Sequence, residues 1–503
     1  MTRTMQVQVT LLYPPQQTNP EWDCKPEGSL AYPSLAAALM DAGFAVEIFD
    51  ACVGNEKDSL DEVFYRSSPL ASGLQRTGVS AERILEEVAD SDIVGITSIF
   101  TNQETMALEA ARLIKSHFPE KLLISGGTNA RSRYNVFLDA GFDLVCLSEA
   151  EGTVVSIAEE VARGGKQWGQ ISAVAFRENG KTVLRPTRAE DVVFDLDTLP
   201  MPAWELLPNE RYWEIGRPHG ATGDSDGPFR YASMMTSLGC VFKCRYCHIS
   251  GEQNGSLSGP IGRFRVKSDE RVIAEFEKLR SLGVEHLFLE DDTLFGKKRR
   301  GIELLRKVKD FGFHLWDING INIAHLLRLD RSTGRYVPDL EVLDVLAECD
   351  FQAISLPFES GNQRILDYYA SHKWRIEGAD LVGLIQALLD RGIKAGGNYM
   401  LGYPDETREE IETTIEMARG HRDAGIMSAN FMLVIPLPGT ALHDEALEKG
   451  YIPRDFNPDT FNWREASMVN TTVPAEELEE IHQAAYRELN GPPTRVQERE
   501  FAT

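Results

Sequence analysis

The 503-residue chain is predicted to be an α/β protein: a Rossmann-like N-terminal domain, then a six-unit partial β/α barrel, then a helical C-terminal segment. Three observations predict this. From residue 6 onward, short apolar runs alternate with amphipathic helix-like segments, the pattern of a parallel sheet with helices on its faces. The pattern loosens over 166–231 and then restarts. The length also exceeds that at which a single hydrophobic core stops growing, so more than one domain is expected.

In the first domain, 1–165, apolar runs at 7–15, 44–51, 92–100, 121–127 and 143–151 read as strands, with helices at 30–43 and 104–118 between them. Tyr13, Thr97, Ser98, Gly126, Gly127 and Glu149 then fall at the carboxyl ends of strands, where open sheets bind ligands. The linker, 166–231, carries a hairpin signal at Asn179-Gly180 and a Pro-containing run. In the barrel, 232–440, strands are expected at 234–239, 286–291, 316–322, 353–361, 394–402 and 430–439. Helices at 269–283, 298–312, 338–350, 378–392 and 408–425 separate them, and the functional loops belong at the carboxyl ends of the strands. The segment 441–503 reads as an acidic helical cap.

Composition narrows the function. There are 77 acidic against 52 basic residues, a formal charge of -25, which argues against broad nucleic-acid or anionic-membrane binding and is compatible with a cationic substrate. The absence of any apolar run of about eighteen residues, and an N-terminus too short and β-like for a signal peptide, make a cytoplasmic protein the expectation. The seven cysteines are an odd, sparse set, so a disulfide framework is not expected. Cys24, Cys52, Cys146 and Cys349 read as small hydrophobes.

The remaining three cluster. Cys240, Cys244 and Cys247 have spacings of four and three directly after the first barrel strand, offsets with which a compact loop can wrap three corners of an iron-sulfur cube and leave one iron open. A structural zinc site would need four ligands in two spaced pairs, and although His248 is adjacent no second pair follows. CxxxCxxC with Tyr246 before the last cysteine resembles the radical S-adenosylmethionine superfamily, and the resemblance extends along the barrel. Glu290, Asp291 and Asp292 match the strand end that receives the amino group of S-adenosylmethionine. Glu359-Ser360-Gly361 matches the "ESG" strand end near its ribose or carboxylate. Asn398 to Thr407 matches the strand that packs the adenine, with Glu406 capping the next helix, and residues 435–440 match the sixth-strand turn. Tyr246 is expected near the adenine. The resemblance implies a 4Fe-4S cluster, S-adenosylmethionine, a small-molecule substrate and an electron donor such as a flavodoxin or ferredoxin.

The order of Rossmann-like domain, LPMPAWELLP linker at 199–208 and cysteine triad resembles the cobalamin-dependent class of that superfamily. This implies cobalamin on the six first-domain strand ends named above, without a protein histidine ligand, and methylation of an unactivated carbon in secondary metabolism such as antibiotic biosynthesis. The chain departs from the class pattern in having Gly126-Gly127-Thr128-Asn129 and Ser148-Glu149-Ala150-Glu151. A cobalamin-free lyase or oxidoreductase, for instance a dehydratase of a sugar diol, is the alternative reading, and a non-catalytic sensor a further one. A cobalamin site needs a broad interdomain cleft. Closure by Asn129, Arg131 or Tyr134 would mark an inherited scaffold.

Overall fold

The computed structural model describes residues 7–22, 24–26, 30–216, 229–253 and 256–491. Parts of the expected linker (217–228), the loop after the cysteines (254–255) and both chain ends lie outside the described residues.

The first sheet is built from β1 (Gln8–Tyr13), β2 (Ala45–Asp50), β3 (Ile93–Thr97), β4 (Leu122–Gly126) and β5 (Leu144–Cys146), parallel in the order β2-β1-β3-β4-β5. This is the doubly wound order in which the chain reverses direction beside β1, so the crevice for a ligand opens at the β1 and β3 carboxyl ends. α1 (Ala31–Asp41) and α3 (Glu151–Ala162) pack on one face and α2 (Glu104–His117) on the other. The hairpin assigned to the linker forms here: β6 (Val174–Glu178) pairs antiparallel with β5, and β7 (Lys181–Arg185) with β6. Its inward Val174 and Phe176 are buried in the first core. The linker reading is corrected accordingly, because burial of these apolar side chains, rather than the proline content around them, decides where the hairpin sits.

The second sheet is a curved row of six parallel strands: β8 (Tyr231–Met234), β9 (His286–Leu289), β10 (His314–Asp317), β11 (Phe351–Glu359), β12 (Lys394–Leu401) and β13 (Ser428–Leu433). Between them run α4 (Asp269–Ser281), α5 (Lys298–Val308), α6 (Leu340–Glu348), α7 (Gln363–Tyr369), α8 (Leu381–Leu389) and α9 (Arg408–Asp423). The helical caps are those the sequence offers: Ser268 accepts from Arg271 N, Asp380 from Gly383 N, and Thr407 with Glu410 forms a reciprocal capping box. Glu406 is therefore not the cap. Its carboxylate folds back onto the N–H groups of Gly402 and Tyr403, and burial pushes it up to about 8. The first barrel strand also ends earlier than expected, because Ser237 and Leu238 leave the sheet to pair antiparallel with Val266 and Arg265.

Among the described residues, two α-helices follow the barrel, α10 (Ala441–Lys449) and α11 (Ala475–Asn490). α11 lies against β13, the edge strand, and Asn490 pairs with both the N–H (2.9 Å) and the carbonyl (2.7 Å) of Ala429 while His482 donates to the Phe431 carbonyl. The open edge is thereby covered. No described helix is long and apolar enough to cross a membrane.

Candidate functional site

The cysteine loop is fixed before any ligand is considered. Gly239 has φ +77°, and a Cβ there would stand 2.3 Å from the Arg263 carbonyl, so only glycine fits at the turn into Cys240. Cys240 N donates to Gly262 O (3.1 Å), Lys243 N to Ser371 Oγ (3.0 Å) and Arg245 N to Tyr369 O (2.8 Å). Gln253 spans the loop from inside, donating to the Cys240 and Phe242 carbonyls at 2.9 and 2.7 Å. All three cysteines are free thiols, Cys244 buried and the other two half-buried. Cys240 Sγ accepts from Thr293 Oγ1 at 2.9 Å and from Phe242 N at 3.5 Å, the bonding of a thiolate ligand. Burial pushes Cys244 and Cys247 up, so these thiols ionise only against a cation. Among the described residues no three His, Cys, Asp or Glu side chains converge as a site for a single ion. A cube presents a separate iron to each thiolate and does not require convergence, so the donor set fits it.

The barrel interior follows from strand register. Ser233 lies beside Phe288, Phe288 beside Trp316, Trp316 beside Ala353, and Asn398 beside Asn430, so these share one face of the sheet. The opposite face packs on the helices, as the Tyr399 hydroxyl bonded to His421 of α9 shows. The interior is therefore lined by Ser233, Phe288, Trp316, Ser355, Asn398 and Asn430, with Asn430 donating to Asn398 at 3.1 Å. Of these, sequence reading singled out only Asn398. Period-two alternation across the six strands carried the signal for the rest.

The acidic run at the end of β9 divides in function. Glu290 shares the interior face with Phe288, and burial pushes it up to about 7. Asp291 points the other way, accepting from Thr236 N (2.9 Å), Thr236 Oγ1 (2.8 Å) and Ser237 Oγ (2.5 Å), with Arg300 bonded to the same threonine. Asp292 accepts from Gly239 N at 2.9 Å, and burial raises it to about 7. Asp291 and Asp292 thus tie down the chain leading into the cysteine loop, because loop amides that leave the sheet need acceptors.

Glu359, at φ +64°, ends β11 and accepts at Oε1 from Lys373 Nζ at 2.8 Å. Ser360 is fully buried, accepting from Asn362 N and touching Thr414, so it shapes a turn and does not face the cavity. Tyr246 packs against Tyr403, which stacks on Tyr369.

In the first domain, Tyr13, Thr97 and Ser98 line a crevice open to solvent with Asp50, Phe100 and Gln103. Thr97 N donates to the Tyr32 hydroxyl, which is wedged between α1 and the sheet. Asp50, raised to about 6 by burial, accepts from Tyr212 of the linker at 2.7 Å. Gly126, Gly127 and Glu149 are not in this crevice. Gly127 lies against the Ser98 carbonyl, Asn129 is buried among Ser98, Thr101 and Glu104, and Arg131 pairs with Glu252 of the barrel. Glu149 is gripped by Arg265 at 2.8 and 2.5 Å, and Ser148 donates to Ser258 O at 2.9 Å. The β4 and β5 ends are thus docked on barrel loops. The enclosed space in that crevice is about 30 Å³, well below the range for small-molecule sites, about 300–1,000 Å³. One pairing was not foreseen: Cys24 and Cys52 bring their sulfurs to 3.7 Å beside this crevice.

A family model described as the radical SAM superfamily matches residues 234–418. Over 405 residues the chain is 27% identical to an uncharacterised methyltransferase, PH0819, of Pyrococcus horikoshii, covering 79% of this chain and 78% of that protein. It is 26% identical over 456 residues to cytidylyl-2-hydroxyethylphosphonate methyltransferase of Streptomyces wedmorensis, covering 83% and 77%. Among solved structures, the radical S-adenosylmethionine methyltransferase TsrM of Kitasatospora setae, with cobalamin and a 4Fe-4S cluster bound, superposes with TM-score 0.63 at 17% identity over 88% of this chain and 78% of its own. The cobalamin-dependent enzyme OxsB superposes with TM-score 0.64 at 13% identity over 92% and 64%. The chain therefore carries, over residues 234–418, a domain of the radical SAM superfamily, on a two-domain fold shared with TsrM and OxsB.

Proposed function

We propose that this protein is a radical S-adenosylmethionine enzyme that abstracts a hydrogen atom from an unactivated carbon of a small molecule held in the barrel interior. The observation that carries the reading is the Cys240, Cys244, Cys247 loop, preformed by Gly239, Gln253 and Asp292 at the mouth of a polar-lined barrel. Cys240, Cys244 and Cys247 would hold a 4Fe-4S cluster, which when bound and reduced would supply the electron for cleavage of S-adenosylmethionine to methionine and a 5′-deoxyadenosyl radical. The chain's own part is placement and shielding. Thr293 orients Cys240, and Glu290, Ser233 and the Asn398–Asn430 pair offer hydrogen-bonding partners inside a wall closed by Phe288 and Trp316. That wall keeps water from a radical that must meet its target at contact distance.

The methyltransferase relatives support methyl transfer as the outcome, with the first-domain crevice beside Tyr13, Thr97 and Ser98 as the place for a corrinoid donor. A small-molecule substrate is supported by tryptophan bound in a TsrM structure. A second reading, a cobalamin-free lyase or oxidoreductase, is favoured by one observation: the β4 and β5 ends are clamped to the barrel by Arg131–Glu252 and Arg265–Glu149, and a corrinoid needs that side to part. Anaerobic reconstitution with iron and sulfide, followed by spectra with and without hydroxocobalamin and assay for 5′-deoxyadenosine, tests both. Failure of the wild-type protein to bind iron would end the radical reading. Stoichiometric retention of the corrinoid favours methyl transfer, and 5′-deoxyadenosine formation at full rate without it favours the second reading.

A further inference from the structure

The loop after α7 places one ammonium group against the cysteine loop. Ser371 and His372 are consecutive non-glycine residues with φ +59° and +51°, a corner that ordinary side chains seldom adopt. This corner is tied to the cysteine loop through Lys243 N to Ser371 Oγ, and the helix end just before it through Arg245 N to Tyr369 O. Its next residue, Lys373, is thereby carried inward. The Lys373 side chain is 14% exposed, its Nζ bonds Glu359 at 2.8 Å, and it stands 5.9 Å from the centre of the Tyr246 ring, between Cys244 and Cys247 in the chain. Glu359 also pays for its place, with φ +64° in a buried setting. Two backbone irregularities on separate elements converge on one ion pair, and Arg245–Glu445 and Arg364–Glu410 show that the chain forms ion pairs nearby without such strain.

We propose that Lys373 is a positioning residue that supplies positive charge to the Cys244 and Cys247 thiolates and sets the reduction potential of the cluster they hold, with Glu359 as its counter-charge. This rests on the cluster assignment of the proposed function. A positive charge near the cluster stabilises its reduced form and a negative charge opposes it.

The test is an anaerobic redox titration of the reconstituted full-length protein, with the reduced cluster followed by electron paramagnetic resonance and iron measured on every sample. Lys373→Met is expected to lower the reduced-to-oxidised ratio at a fixed potential about tenfold, which for one electron is about 59 mV. Glu359→Gln is expected to raise it, and Lys373→Arg to stay near wild type. Shifts of opposite sign are the signature of charge, because loosening the loop would move both variants the same way. A common direction, or no shift with iron at the wild-type content, overturns the proposal. Should Lys373→Met hold no iron, the sign of the Glu359→Gln shift decides alone: upward supports the proposal, and unchanged or downward overturns it. Wild-type protein without a cluster would sink the proposed function instead, so the two failures are distinguishable.

Discussion

Replacing Arg265 by Ala should loosen the two domains by about 3 kcal/mol. The Arg265 side chain is 3% exposed and donates to Glu149 twice, to Val193 O and Ile261 O at 2.7 Å each, and to Arg263 O at 3.3 Å. Truncation leaves a carboxylate and carbonyls without their donor, and breaking a buried pair costs about 3–5 kcal/mol. Glu149 is 26% exposed, so water compensates it in part and the lower value applies. At about 1.4 kcal/mol per decade this is roughly a hundredfold in the docked-to-undocked ratio. Trp204 and Trp213 are buried in the linker and report the event by fluorescence during urea titration. Hydrogen exchange over 258–266 gives an independent reading. Arg299→Ala is the control, since its partner Glu303 lies one helical turn away and the pair is exposed at 92% and 51%. Such pairs contribute about 0.3–0.5 kcal/mol. If Arg265→Ala costs no more than Arg299→Ala, the grip on Glu149 does not hold the domains together.

Asp50→Asn should stabilise the protein above pH 6. Burial lifts Asp50 from 3.8 to about 6, so between those values the folded chain binds more protons than the unfolded one and stability falls as pH rises. A difference of about two pH units is worth about 3 kcal/mol, and denaturation of wild type and variant at pH 4 and pH 8 should show that gap opening. Equal gaps at both values would remove Asp50 as the cause. Changing any of Cys240, Cys244 or Cys247 to Ala should abolish iron retention and cleavage of S-adenosylmethionine, whereas Cys349→Ala should keep iron, because Cys349 is buried behind α6 and donates to Leu305 O. Comparable iron loss at Cys349 would mean the ligands are misassigned. Gly239→Ala should lower iron content as well, since its Cβ would meet the Arg263 carbonyl at 2.3 Å, and wild-type iron loading there would show that the turn yields.

Much of this was legible in the sequence. Period two and period 3.6 located the strands and helices, because side-chain direction is set by local backbone geometry, and the fixed offsets of Cys240, Cys244 and Cys247 are what point to an iron-sulfur loop without a partner elsewhere in the chain. Alternation even held the interior face of the barrel, although register was needed to bring Asn398 beside Asn430. What the sequence could not decide is which of several plausible partners a polar group meets. Glu290, Asp291 and Asp292 read as one motif, yet successive side chains point to opposite faces, so one enters the interior and the next ties down the cysteine loop. Asn129, Arg131 and Glu149 could have lined a cleft or filled it, and only packing against Glu252 and Arg265 settled their place. Lys373 carried no signal at all, because its position depends on a left-handed corner at Ser371 and His372 that no local preference of serine or histidine predicts. Local propensity is written along the chain, while contacts between residues more than a hundred positions apart are fixed only when burial forces each donor to find an acceptor.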